Sequence, residues 1–307
     1  MTQLAASIDL GSHTARLLIA RRSGLSPWGW APLVRRRAYI RLTADADSEG
    51  ETEIGLNATA RALDALAGFS GLIADHHVTD VRAVATGVIR DSINGDRFLA
   101  RLYEKTGIRI ALISGEREAV LSASGARAAL NMRPPCLVFD LGGGTTEFFR
   151  DMGEEPKAIS MPIGAAVLTR RWIGSDPPGT TDLDAIAEEI GRHLNAVAED
   201  ITGVPVIVGT GGTVTALAAM VHGMVWDDIS PERINGLILT LPQLEACLAQ
   251  MKTLTVAERV QRLGLDAGRA EVIVAGALAI IGILRFVGIC ELRVSMSDLL
   301  EGLLIEG

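Results

Sequence analysis

Two short runs in the chain join a carboxylate to a glycine turn in the same way. Asp9-Leu10-Gly11-Ser12 and Asp140-Leu141-Gly142-Gly143 each follow an apolar run, and they lie 131 residues apart. A third glycine turn, Gly209-Thr210-Gly211-Gly212-Thr213, precedes a helical pattern. Glycine lets backbone N–H groups come close to a phosphate, and successive N–H groups form a concave anion site. The hydroxyls of Ser12, Thr14, Thr145 and Thr146 add hydrogen-bonding capacity. The third turn would aim N–H groups at an anion from a helix start. A carboxylate at a strand end, Asp9 or Asp140, can hold Mg2+ directly or through water. One such turn alone reads as a hairpin corner. Two copies with a third glycine turn point to a phosphate site in a duplicated domain.

The elements that must position these turns alternate between strand and helix. Leu4–Leu10 and Arg16–Arg21 read as a hairpin around Gly11-Ser12-His13-Thr14, and Tyr39–Leu42 as a further strand. Leu56 to Ala74 carries apolar residues at helical spacing, and Val78–Ala85 is strand-like. Asp96–Lys105 reads as a helix stopped by Gly107, Ile108–Ile113 as a strand, and Glu116–Leu130 as a helix ending before Pro134. The opening pattern then returns in Cys136–Leu141, a glycine turn and Glu147–Arg150. Asp182–Ile201 is helical, Val204–Val208 a strand, and Leu241–Met251 a helix. Arg269–Val287 is a long apolar helix, Glu291–Val294 a strand and Asp298–Ile305 a closing helix. Such alternation in both halves predicts α/β layers. The expected division is 1–127 and 128–307.

Composition agrees. The chain has 307 residues, 48% hydrophobic and 21% charged, which excludes a disordered or fibrous protein. A formal net charge of −8 argues against a broad nucleic-acid-binding face. An anionic ligand therefore needs a local positive pocket. Cys136, Cys247 and Cys290 form no metal spacing and read as reduced thiols of a cytoplasmic protein. The start reads as no signal peptide, and the apolar run Val272–Leu284 is too short to span a bilayer, so no membrane partner is expected.

Several segments together resemble the exopolyphosphatase / guanosine pentaphosphate phosphatase (Ppx/GppA) family of the actin–Hsp70–sugar kinase superfamily. They are SIDLGSHTARLLIA at 7–20, ATGVIRDSIN at 85–94, ISGEREA at 113–119, LVFDLGGGTTEF at 137–148, VGTGGTVTAL at 208–217, RAEVIVAGALAI at 269–280 and LRVSMSDLLEG at 292–302. The resemblance runs nearly end to end and is to the short, two-domain members. It implies two ribonuclease-H-like (actin-like ATPase) α/β domains, with mixed sheets flanked by helices and an interdomain cleft. The last helix is expected to pack back on the first domain. The implied activity is Mg2+-dependent release of the terminal phosphate from inorganic polyphosphate or guanosine pentaphosphate, with Mn2+ as the other metal to consider. By the same resemblance Glu118 is the glutamate that activates water. Glu147 positions Mg2+ or water, Asp140 and Asp9 bind metal, and Arg90 faces the phosphates with its planar fork. Asn94 is a further candidate in the Arg90 loop. Gly11, Ser12, His13, Thr14, Gly142, Gly143, Gly144, Thr145, Gly211, Gly212 and Thr213 are the phosphate-binding set.

Alternatives stay open beside this. Glu116 and Glu118 also suit a helix N-terminus, where negative charge is favoured. Arg35-Arg36-Arg37 with Arg41 reads as a charged edge strand or as a guide for a phosphate chain. His13 stands where the family has asparagine, and it would donate to a phosphate or charge near neutral pH. By alignment to the family pattern Asp298 falls on a glycine and Leu300 replaces an arginine. A superfamily kinase or ATPase, and a non-catalytic sensor of polyphosphate or (p)ppGpp, are the competing functions. Oligomeric state is open, a homodimer included.

Overall fold

The computed structural model describes residues 3–42 and 53–306. The first apolar run folds as β1 (Leu4–Leu10), and β2 (Thr14–Arg22) returns antiparallel to it. The edge strand β3 (Trp30–Tyr39) pairs with β2. On the other side β4 (Asp80–Ala85) and β5 (Ile110–Leu112) run parallel, giving the order β3-β2-β1-β4-β5. The second half repeats this scheme. Its strands are β6 (Cys136–Leu141), β7 (Thr146–Asp151), β8 (Lys157–Met161), β9 (Ile207–Thr210), β10 (Ile238–Thr240) and β11 (Glu291–Val294), in the order β10-β11-β9-β6-β7-β8. β8-β7-β6-β9-β11 matches the first sheet strand for strand, with β10 added at the edge. The central strands β1 and β6 are buried almost throughout, as expected for strands covered on both faces. The fold is therefore α/β, with two mixed sheets flanked by helices.

Helix Ala267–Val287 is long and apolar enough to cross a membrane by length and composition, but most of it is buried in the second core. A helix apolar all round is accommodated this way inside a folded domain.

Residues 40–42 do not extend a strand. The Ile40 N–H donates to the His13 carbonyl and the Leu42 N–H to the Ser12 carbonyl, at 3.0 and 2.8 Å, so this segment wraps the β1–β2 turn. Elements without a clear sequence pattern include β8, β10, helix Ala165–Trp172 and helix Val256–Leu263.

Two helices cross between the halves. Helix Gly115–Leu130 lays Ala119, Ala123 and Ala126 on Val138, Phe149 and Val208 of the second sheet. Residue 127 thus falls inside a helix that covers the second sheet. Helix Leu299–Glu306 instead packs Leu300 and Leu304 against Ala5, Leu18, Ala20 and Trp30 of the first half. The Trp30 indole N–H donates to the Leu304 carbonyl at 3.0 Å.

Where these helices cross, their backbones touch. A Cβ on Gly302 would run into the Leu121 carbonyl, and one on Gly125 into the Asp298 carbonyl. Backbone cannot yield as the end of a side chain can. Gly302→Ala is therefore expected to cost ~1–3 kcal/mol by overpacking. Urea denaturation checks this; an unchanged midpoint would show that the crossing is not tight.

Candidate functional site

The β1–β2 and β6–β7 turns meet tip to tip. A Cβ on Gly143 would lie 2.6 Å from the His13 Cβ, and one on Gly144 would collide with the Ser12 hydroxyl. Only glycine permits this approach, and Gly142, Gly143 and Gly144 line the space between the halves. That space is a cavity of about 310 Å3. Its wall includes Asp9, Gly11, Ser12, His13, Thr14, Glu118, Asp140, Gly142, Gly143, Gly144, Thr145, Gly211 and Gly212. Residues from all three glycine turns thus share one wall. Gly211, at φ +99°, lets β9 turn sharply into helix Gly212–Val221.

Three residues of the expected set are outside that wall. Thr213 is buried, with its Oγ1 3.4 Å from Arg269 Nη1. Glu147 lies on β7 opposite Asp140 and is buried behind the turn, its Oε1 accepting from Ser160 Oγ at 2.7 Å. Arg90 bonds Asp91 and the Ile113 carbonyl, each at 3.3 Å, and its charge is felt by Glu118 and Glu147. Asn94 is committed elsewhere: its side chain bonds both backbone groups of Ile54.

Glu116 and Glu118 separate. Ser114 caps the helix by accepting from the Arg117 N–H. Glu116 is exposed there, its carboxyl held low by hydrogen bonds at the helix start. Glu118, two residues on, points the other way and is 7% exposed. Burial first, and then the charges of Glu147, Asp9 and Asp140, hold its carboxyl well above the usual range. Burial and the Asp140 carboxylate push Glu147 up to about 8. Burial and Asp298 push Asp140 up to about 6, although Ser122 Oγ donates to it at 2.8 Å.

Asp9 Oδ1, Glu118 Oε2 and Glu147 Oε2 are buried and accept no hydrogen bond from any described group. Orphaned carboxylate oxygens of this kind call for a cation or a proton. Among the described residues no three His, Cys, Asp or Glu side chains form a ready cation cage. Mg2+ typically takes one or two carboxylates, keeps several waters and completes its shell with substrate phosphates. The orphaned Asp9 Oδ1 and the Asp140 carboxylate, both on the cavity wall, have the chemistry to suit such an ion.

His13 does not carry charge at neutral pH. Burial and the nearby Arg269 push it down to about 4. Its Nε2 lies 3.3 Å from the Gly268 carbonyl, and its ring meets Tyr39 edge-on. It braces the first half against helix Ala267–Val287. Arg37 pairs with Asp266 and Arg41 with Glu271 in the same seam.

The positive charge comes from Arg35, Arg36 and Arg37, already candidates as a phosphate guide, and from Arg16 and Arg269, to which the sequence gave no role. Arg16, directly across β1–β2 from Asp9, lines the cavity with Arg35, Arg36, Arg37 and Arg269. The hairpin register could have found Arg16, since a turn centred on residues 11–14 pairs 9 with 16. Arg269 lies against Gly212, where a Cβ would overlap its guanidinium. Its signal was a lone arginine opening an apolar helix.

The model of the Ppx/GppA phosphatase family matches residues 18–307. The chain is 32% identical to Exopolyphosphatase 2 of Mycobacterium tuberculosis, covering 99% of this chain and 98% of that one. A solved exopolyphosphatase-like protein superposes with a TM-score of 0.90 at 30% identity, covering 99% and 97% of the two chains. The Aquifex aeolicus Ppx/GppA family member superposes at 0.81 with 28% identity and the same coverage.

Carboxyls raised in the folded state bind protons that the unfolded chain has released. Stability therefore falls as pH rises from the ordinary carboxylate range, near 4.3, toward the Glu147 value of about 8. In EDTA, the thermal midpoint should drop steadily between about pH 5 and pH 8. Glu147→Gln should flatten that drop. Calorimetry across pH checks this, and a midpoint that rises with pH in both proteins would contradict it.

Proposed function

The chain belongs to the Ppx/GppA phosphatase family, and we propose that it is a phosphohydrolase releasing the terminal phosphate of inorganic polyphosphate and of guanosine pentaphosphate. One observation carries the reading. Glu118 presents an orphaned, proton-hungry carboxylate to the same cavity that the glycine turns line.

The residues divide the work as follows. N–H groups of Gly143 and Gly144 and the hydroxyls of Ser12 and Thr145 bind oxygens of the terminal phosphate, while the Gly142 N–H closes the turn on the Thr145 carbonyl. Arg35, Arg36 and Arg37, on the cavity wall, receive the rest of the chain. Glu118 orients a water and takes its proton as the water oxygen bonds to the terminal phosphorus. The bridging oxygen leaves with the shortened chain. Glu147, when ionised, raises the proton affinity of that base. A bound divalent cation such as Mg2+ would supply neutralisation of the phosphate oxygens.

Purified protein with Mg2+ is expected to release orthophosphate from polyphosphate and from pppGpp. Glu118→Gln should lower kcat by ~10²–10⁴-fold. Phosphate-release assays on polyphosphate, pppGpp and ATP check this. Absence of release from all three, or transfer of phosphate to an added acceptor instead of water, would overturn the hydrolase reading.

A further inference from the structure

Arg16 is the cavity arginine closest to the acidic cluster, and its guanidinium is already occupied. Nε and Nη2 contact Asp9 Oδ2 at 2.8 and 2.7 Å, while Nη1 donates to Asp298 Oδ2. Asp9 is its neighbour across the hairpin, so that contact is intrinsic to the β1–β2 ladder. Asp298 comes from the far end of the chain. It lies just beyond β11, at the start of helix Leu299–Glu306, and is 3% exposed.

Asp298 is anchored chiefly through its backbone. Its Oδ1 accepts from the Leu300 N–H at 3.3 Å, and its own N–H donates to Glu301 Oε2 at 3.0 Å. Its carbonyl lies against Gly125 in the helix crossing. Glu301 in turn pairs with Arg35, a second cavity arginine. Asp298 also lines the cavity, and its charge disfavours ionised Asp140 there. A carboxylate thus sits where an anionic ligand would engage Arg16.

Resting on the hydrolase reading, we propose that Asp298 is an affinity-setting residue: an internal anion that occupies Arg16 and must be displaced before a substrate phosphate can use it. Its carboxylate takes the position on Arg16 that a phosphate oxygen would use. Each substrate phosphate drawn to Arg16 pays both for breaking this pair and for facing the displaced charge. The device selects against weakly charged anions, which lack the charge to displace it. Asp298 acts through Arg16 and is a positioning residue, not a catalytic one.

The test is binding of tripolyphosphate with Mg2+, measured by calorimetry so that turnover is not needed, alongside phosphate release. Asp298→Asn keeps an acceptor for the Leu300 N–H and removes the charge. It should bind tripolyphosphate about tenfold more tightly, about 1.4 kcal/mol. Asp298→Ser, also a favoured helix-capping residue, serves if the first variant folds poorly. Arg16→Gln should bind more weakly than wild type. Adding Asp298→Asn to it should gain less than about twofold, because the partner that Asp298 restrains is gone. A purely structural role would change both backgrounds equally. Wild type that binds and turns over substrate, with Asp298→Asn binding no more tightly, overturns the inference alone. Failure of every protein to bind or hydrolyse polyphosphate overturns the hydrolase reading and this inference with it.

Discussion

Asp9, Glu118, Asp140 and Glu147 are buried together, each under 9% exposed, and like charges brought this close in a poorly solvated place repel strongly. Much of the site answers to that repulsion. Arg16 partly neutralises Asp9, Ser122 donates to Asp140 and Ser160 to Glu147. What these contacts leave over appears as raised proton affinity and as carboxylate oxygens without partners. On the proposed hydrolase reading, a cation and a polyanion entering together would satisfy both, within a protein of net charge −8.

Holding the cluster requires a frame that does not relax, and the duplicated sheets provide it. Asp9 and Asp140 end equivalent central strands, each tied to an antiparallel partner on one side and a parallel one on the other. Glu118 arrives from a helix packed on the second sheet, and Asp298 from the start of a helix packed on the first. The exchange of those helices, with backbone contact at Gly125 and Gly302, ties both halves to one site. His13, neutral and bonded to Gly268, adds a strut across the same gap.

Much of this was readable from the residues. Leu4–Leu10 and Cys136–Leu141 are β-compatible apolar runs bounded by turns and fold as β1 and β6, while Glu291–Val294 alternates charged and apolar residues and folds as β11. The repeated Asp-Leu-Gly marked the two turns that meet. β8 was not legible because its Lys157–Met161 sequence lacks β-branched alternation and takes its strand form from β7. Tyr39–Leu42 looked like a strand, but its N–H groups bond the β1–β2 turn, a tertiary contact that no local pattern encodes. The charge state of His13 and the pairing of Arg16 with Asp298 were equally out of reach. They depend on residues some 255 and 282 positions away.

The most direct measurement is a single turnover of tripolyphosphate in H2-18O, followed by mass analysis of both products. If water activated by Glu118 attacks the terminal phosphorus, the released orthophosphate carries one solvent oxygen and the shortened chain carries none. Label in the shortened chain, or orthophosphate without label, would contradict attack by water at the terminal phosphate and with it the role given to Glu118.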